Sequence, residues 1–125
     1  MANFRQHTSS QGTLFLAGKS SETNEILIAQ VEKDEDVLHT AKPGSPFVNI
    51  KGKPKKGDLN EAAIFCAVYS QDWKKNKKDV LVHVFKGKNI FKDKMMKQGT
   101  FAVKKFKEIK VKKSEIEKFK EINKI

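Results

Sequence analysis

The chain contains one cysteine, Cys66, three prolines and one tryptophan among its 125 residues. A lone thiol cannot close an internal disulfide, and it supplies no cysteine cluster for a metal. No apolar run approaches the ~18 residues that a membrane span requires, and no charged-then-apolar leader follows Met1. A cytoplasmic protein is therefore the expectation. The three histidines, His7, His39 and His83, fall in no H-x-x-x-H or comparable spacing, so no metal site is expected. The phosphate loop, the dinucleotide glycine fingerprint and the G-x-S-x-G elbow are all missing, so no cofactor is expected either. Apolar residues make up only 38% of the chain, low for a compact domain; nine phenylalanines offset this with their large buried area.

Acids are scarce where lysines are dense. Residues 1–50 hold four basic residues (Arg5, Lys19, Lys33, Lys42) against six acids. Residues 51–125 hold the remaining 22 of the 26 basic residues, all lysine, against nine of the 15 acids. The first part is thus −2 and the second +13, which together make the net charge of +11. Such an asymmetry is either a solvated lysine-rich surface or a positive face that attracts polyanions at long range. Nucleic acid is the leading partner class, and an anionic membrane surface a weaker one.

The length predicts one domain over 1–125 with a single modest core. Segments 4–8 and 13–17 flank a polar Ser-Ser-Gln-Gly turn and read as a hairpin, Thr13–Ala17 being the buried strand. Ser20, Ser21 and Thr23 offer capping oxygens to a short helix over 24–31, where Asn24, Leu27, Ile28 and Val31 share a stripe. Residues 51–57 form a lysine-rich loop. A helix then opens at Asp58 as N-cap with Glu61 as a box-like partner, and its stripe runs Leu59, Ala62, Ala63, Cys66, Ser70, Trp73. It ends in Lys74–Lys78, and Cys66 reads as a packed thiol. Asp79–Phe85 alternates as a strand, with Val80, Val82 and Val84 on one side and Leu81, His83 and Phe85 on the other. Shorter strands are predicted at 90–91, 100–103 and 108–111. Ser114 and Glu117 form a capping box for a terminal helix over 114–125. The fold class is α+β, with about six mostly antiparallel strands and about three helices.

The stretch Val37–Ile50 organises these elements. Pro43-Gly44 fits the centre of a type II turn, since proline presets φ and glycine takes the positive φ that follows. Pro46 opens the second strand at its first residue, where a missing N–H is tolerated. The turn either joins two core strands and nothing more, or it holds His39, Thr40 and Ser45 together to touch a ligand.

These motifs, taken in order, resemble the NFACT RNA-binding domain family (NFACT-R, DUF814). The resemblance rests on Gly12, Gly18-Lys19 and Asn24-Glu25-Ile26-Leu27, then Glu35-Asp36-Val37-Leu38-His39 and Gly44-Ser45-Pro46. It continues through Glu61-Ala62-Ala63, Ala67 and Tyr69-Ser70, and closes on Lys88, Lys92 and Lys97-Gln98-Gly99. It covers about residues 4–111. Val37 stands where the family pattern has Trp, Glu35 where it has Asp, and Gln98 where it has Pro. The family's large multidomain members act in ribosome-associated quality control, on obstructed large subunits carrying tRNA. The resemblance implies a stand-alone RNA-binding module that contacts rRNA, tRNA or the ribosomal subunit.

On this reading the RNA contacts are His39, Thr40, Gly44 and Ser45, with Lys19, Lys53, Lys55, Lys56, Lys88, Lys92 and Lys97 as cations, and no catalytic residue. Phosphate contacts at the lysines position a strand, while His39 can stack on or bond to an unpaired base. Two alternatives stand beside it. One is a protein-interaction module that docks its basic face on an acidic partner, with Phe91, Met95 and Met96 near the surface. The other is an RNA-acting enzyme using His39 beside its hydroxyls.

Overall fold

The computed structural model describes residues 3–125. Chain order is β1 (Arg5–Thr8), β2 (Leu14–Ala17), α1 (Ser21–Ala29), β3 (Asp36–Thr40), β4 (Val48–Ile50), α2 (Asp58–Val68) and α3 (Gln71–Asn76). There follow β5 (Val80–Lys86), a 3₁₀ turn at Gly87–Asn89, β6 (Ile90–Phe91), β7 (Ala102–Val103), β8 (Lys107–Val111) and α4 (Lys113–Asn123). Six strands form one antiparallel sheet in the order β1-β2-β4-β3-β5-β8, and β6 pairs with β7 in a separate ribbon. The fold is α+β as expected, with four helices and eight strands among the described residues.

Alternation along the central strands divides the core in two. Leu38, Val80, Val82 and Val84 face a layer built from α2, α3 and α4, and pack with Ala62, Ala63, Phe65, Cys66 and Trp73. Val37 and Phe85 face the other way, under α1 and the arm that runs from residue 87 to 106; Leu16, Leu27 and Phe47 join them. Neighbouring residues such as Val37 and Leu38, or Val84 and Phe85, thus fall in opposite layers, as the two-residue period of a strand requires.

The expected long helix from Asp58 to Trp73 is two helices. Ser70 Oγ donates to Ala67 O (2.7 Å) and accepts from Trp73 N–H (3.1 Å), so its hydroxyl ends α2 and caps α3. A serine hydroxyl competes with the helical ladder in this way, which a stripe of apolar residues cannot reveal. At the other end of α2 the N-cap position is Gly57, at φ +89°, and not Asp58. Asp58 is fully buried and accepts from Ser9 Oγ (2.7 Å), Thr13 Oγ1 (2.5 Å) and Lys55 N–H (2.8 Å). Glu61 reaches the same hairpin through His7 Nε2 (2.6 Å) and Ser10 N–H (3.1 Å). Both acids brace the β1–β2 turn against α2, where a local capping pair was expected.

Two further boundaries move. Ser20 caps α1, accepting from Thr23 N–H (3.1 Å), so that helix starts at Ser21 and ends before Val31. The last helix begins before Ser114: Lys112 is the N-cap and its N–H donates to Glu115 Oε1 (2.9 Å). Ile116 and Phe119 are buried beneath it, and Ile122 stays exposed.

The register gives the sheet two distinct ends. Ala17, Thr40, Val48, Val80 and Val111 lie at one, and the β1–β2 turn, Asp36, Ile50 and Lys86 at the other. At this second end Glu35 is buried and accepts from Lys51 Nζ (2.8 Å), Gly52 N–H (2.7 Å) and Glu32 N–H (3.0 Å). Burial alone would raise its carboxyl pKa, but these bonds outweigh it and hold the group below its ordinary value.

Burial likewise pushes Asp58 up, and the Thr13, Lys55 and Ser9 donors pull it below 3.8. A depressed carboxyl stabilises the fold above its unfolded value and loses that contribution as pH falls through the folded one. Replacing Asp58 by Ala leaves two hydroxyls and an amide unpaired in the interior. We expect Asp58→Ala to cost about 2 kcal/mol or more in urea unfolding at pH 7. A change within experimental error would show that the hairpin is not held by this carboxylate.

Candidate nucleic-acid interface

His39 lies inside β3, one residue before its end. Its Nδ1–H donates to Thr40 O (2.7 Å), which leaves Nε2 as an acceptor. The ring packs at 4.5 Å from that of Phe47. Burial lowers its pKa below 6.5 and nearby His83 acts in the same sense, with the Thr40 carbonyl opposing, so the ring is neutral at pH 7.

In the turn that follows, Gly44 takes the positive φ expected of it, while residues 41–44 form a bend closed by side-chain bonds in place of the backbone bond of a type II turn. Gly44 has φ +88°, and its carbonyl accepts from Gln71 N–H of α3 (2.8 Å). A Cβ at Gly44 would stand 2.8 Å from Gln71 Cγ. Thr40 N–H donates to Ser45 Oγ (3.0 Å), Ser45 Oγ donates to Pro46 O (2.9 Å), and Thr40 Oγ1 donates to Lys42 O (2.6 Å). His39, Thr40, Gly44 and Ser45 are thus brought together, with both hydroxyls bonded to main chain. Cys66 lies fully buried behind them, its thiol pushed up to about 12 by burial.

The β3–β5 register puts His83 directly opposite His39 on the same sheet face. His83 stacks on Phe106 at 4.0 Å, with planes 24° apart, and its Nε2 meets Glu108 Oε2 at 3.0 Å. The two imidazoles floor a groove of about 600 Å³. Ser21 and Asn24 of α1 and the Gly44–Ser45 turn form one wall; Gln98–Phe101, Val103 and Phe106 of the arm form the other. A smaller trough of about 320 Å³ shares Ser21, Asn24, Gly44 and Ser45 with it. That trough is lined by Arg5, Lys19 and Lys74, with the Arg5 guanidinium 3.9 Å above the Tyr69 ring.

The expected cations do not all gather here. Lys19 does. Lys92 pairs with Glu25 and donates to Lys97 O (2.9 Å) and Thr100 O (3.3 Å), while Gly99 N–H also donates to Glu25 (2.6 Å). The Lys92 bond, then the Gly99 amide, hold the Glu25 carboxyl below its ordinary pKa. Lys92 therefore staples the arm to α1, and Lys97 is exposed on the stapled loop. Lys88 lies at the other end of the sheet, 3.7 Å from Asp34. Lys53, Lys55 and Lys56 occupy the 51–57 loop at that same end, where Lys55 Nζ donates to Gln11 O (3.1 Å). The five residues of β3 separate the two ends by roughly 13 Å at a strand rise of about 3.3 Å per residue.

Arg5, His83 and Phe106 were not singled out from sequence as contacts. His83 alternates correctly on its strand, but only the pairing register shows which residue it faces. Among the described residues, no group of His, Cys, Asp or Glu gathers in a way that could hold a metal.

An antiparallel α+β domain with a cationic trough leading into an imidazole-floored groove defines the class of protein. The family model described as the NFACT protein RNA binding domain matches residues 3–105, and the chain belongs to that family. It is 42% identical over 67 residues to the archaeal Rqc2 homolog aRqcH of Methanocaldococcus jannaschii, a match spanning 50% of this chain and 10% of the relative. The fold superposes on the C-terminal part of the fibronectin/fibrinogen-binding protein from Streptococcus suis with a TM-score of 0.80 at 20% identity. That superposition covers 94% of this chain and 49% of the streptococcal one. The match thus spans a tenth of the archaeal relative's length, and the superposition about half of the streptococcal chain.

Gly44→Val must hold a branched side chain at positive φ against Gln71, so it should destabilise the domain by ~1 kcal/mol or more in thermal melts. An unchanged melting curve would remove the requirement for glycine. His39 is neutral in the fold, so the unfolded chain takes up its proton first. Stability that His39 contributes is complete above pH 6.5 and declines as pH falls through the lower folded value. Imidazole NMR should find His39 titrating below 6.5, and His39→Phe should flatten the loss of stability between pH 6.5 and 5. Titration of His39 above 6.5 would contradict the sign.

Proposed function

We propose that this chain is a non-catalytic RNA-binding module that contacts rRNA or tRNA on the ribosome, with a role in ribosome-associated quality control. The observation that carries the reading is the continuity of the Arg5–Lys19–Lys74 trough with the His39 groove in a member of an RNA-binding domain family. Phosphates along the trough neutralise the three cations and release counterions, which supplies affinity without sequence choice. The name of the archaeal relative points to quality control, and a cytoplasmic site of action goes with it. The hydroxyls of Thr40 and Ser45 are bonded to main chain, which favours binding over chemistry at His39.

The protein-partner alternative draws on the arm, where Met95 is 90% and Phe91 44% exposed. Fluorescence titrations against single-stranded RNA, tRNA and ribosomal subunits at several salt concentrations separate the readings. Lys19→Glu with Lys74→Glu should weaken all RNA complexes and reduce the salt slope by about 1 per lost phosphate contact. Lys55→Glu with Lys56→Glu, at the other end of the sheet, should act less. The reverse ranking would move the RNA path to the 51–57 loop. Salt-insensitive binding of ribosomal subunits that is lost in Met95→Ala would favour a protein partner.

A further inference from the structure

The groove beside the trough is unlike a phosphate site. No cationic side chain forms its floor. The floor is aromatic, with His39 and His83 side by side, Phe47 against the first and Phe106 stacked on the second. Flat rings of this kind bind another flat ring by stacking, whatever its sequence identity. Phe106 is 54% exposed, so stacking on His83 leaves part of its surface open to a further ring.

One hydrogen-bonding group on this floor has a fixed sense. Because Nδ1–H of His39 donates to Thr40 O, Nε2 carries the lone pair. The partner it suits is an N–H donor on a flat ring: the amino group of adenine, cytosine or guanine, or the imino group of uracil. Lys19, Arg5 and Lys74 stand at the adjoining end of the shared wall, where the phosphate attached to such a ring can lie.

We propose that the groove is a nucleobase pocket, which takes one unpaired base of a bound RNA strand. The base stacks on the exposed part of Phe106, which His83 backs, and donates an N–H to His39 Nε2, while its phosphate rests among Lys19, Arg5 and Lys74. The pocket rests on the RNA-binding reading above and adds to it a demand for a single strand. Base edges in a duplex are engaged and its faces are covered, so a paired base cannot enter.

The test separates bases from charge. Binding of fluorescein-labelled A, C and U decamers is compared with that of an abasic ribose-phosphate decamer, which keeps the charge and lacks every base. The wild-type protein should bind the base-bearing decamers roughly fivefold to a hundredfold more tightly than the abasic one. Phe106→Ala should remove most of that preference. His39→Phe, which keeps a ring and loses the acceptor, should remove part of it. Lys19→Glu should weaken binding of all decamers alike and leave the preference intact. Urea unfolding confirms that each variant is folded, and Phe106→Leu, which retains apolar contact without a flat ring, should behave as Phe106→Ala.

The source of the nucleotide is read by NMR of the His39 and His83 imidazoles. Shifts with AMP, CMP, GMP or UMP support a pocket that also accepts free nucleotides; shifts with the decamers alone support one filled only from a strand. Equal affinity for abasic and base-bearing decamers, or a preference that survives both Phe106→Ala and His39→Phe, would overturn the pocket while leaving RNA binding in place. Failure of the wild-type protein to bind any decamer or tRNA at low salt would overturn both.

Discussion

A shift of β3 by one residue along β5 would turn Leu38 away from the helical layer and carry His39 away from His83. The pairing of Leu38 with Val84, His39 with His83 and Thr40 with Val82 therefore serves packing and site together. Two buried faces enforce it. Each strand residue has an apolar layer above or below, and a slip would exchange every one of them. The neighbouring β3–β4 pairing, with Leu38 beside Val48, places the turn at Gly44 and Ser45 at the end of the same strand. The position of the imidazoles is thus fixed by the hydrophobic core, not by polar contacts of their own.

Carboxylates do the bracing outside the sheet. Asp58 holds the β1–β2 turn and the start of α2, Glu35 holds the segment at Lys51–Gly52, and Glu25 holds the arm at Lys92 and Gly99. Each accepts backbone N–H groups as well as side-chain donors, so each satisfies irregular main chain that no ladder reaches. In a chain where lysines outnumber acids, this leaves most lysines free on the surface. Charge-assisted bonds of this type are stronger than neutral ones, which suits them to loops with little apolar area to bury.

Local chemistry made much of this legible. The glycine at positive φ, the Ser20 region capping α1, the alternation of Val80, Val82 and Val84, and the packed Cys66 all follow from short-range rules. The α+β class followed from the same strand and helix patterns, and the ordered motifs pointed to the family. Long-range partners were not legible. Asp58 looks like a cap because nothing near it in sequence reveals Ser9 and Thr13. Ser70 falls on the expected apolar stripe, yet its hydroxyl closes α2 and caps α3, a choice that the stripe alone does not reveal. Lys53, Lys55 and Lys56 resemble the other lysines in composition, yet the strand length sets them at the opposite end from His39. Phe106 sits in a basic run whose pairing with His83 exists only once β8 has docked on β5.

The arm leaves the sheet after Lys86 and rejoins it at Lys107, and those two segments belong to adjacent antiparallel strands. A short turn could join β5 to β8 without altering the pairing between them. Chain inserted there changes loop-closure entropy only slowly with length. Residues 87–106 are thus an elaboration on a hairpin that does two things at once: Ile90, Phe101 and Val103 cover the core layer of Val37, Phe47 and Phe85, and Gln98–Phe101, Val103 and Phe106 make one wall of the groove. Exchanging this segment would change what enters the groove only where the replacement still roofs the same apolar layer.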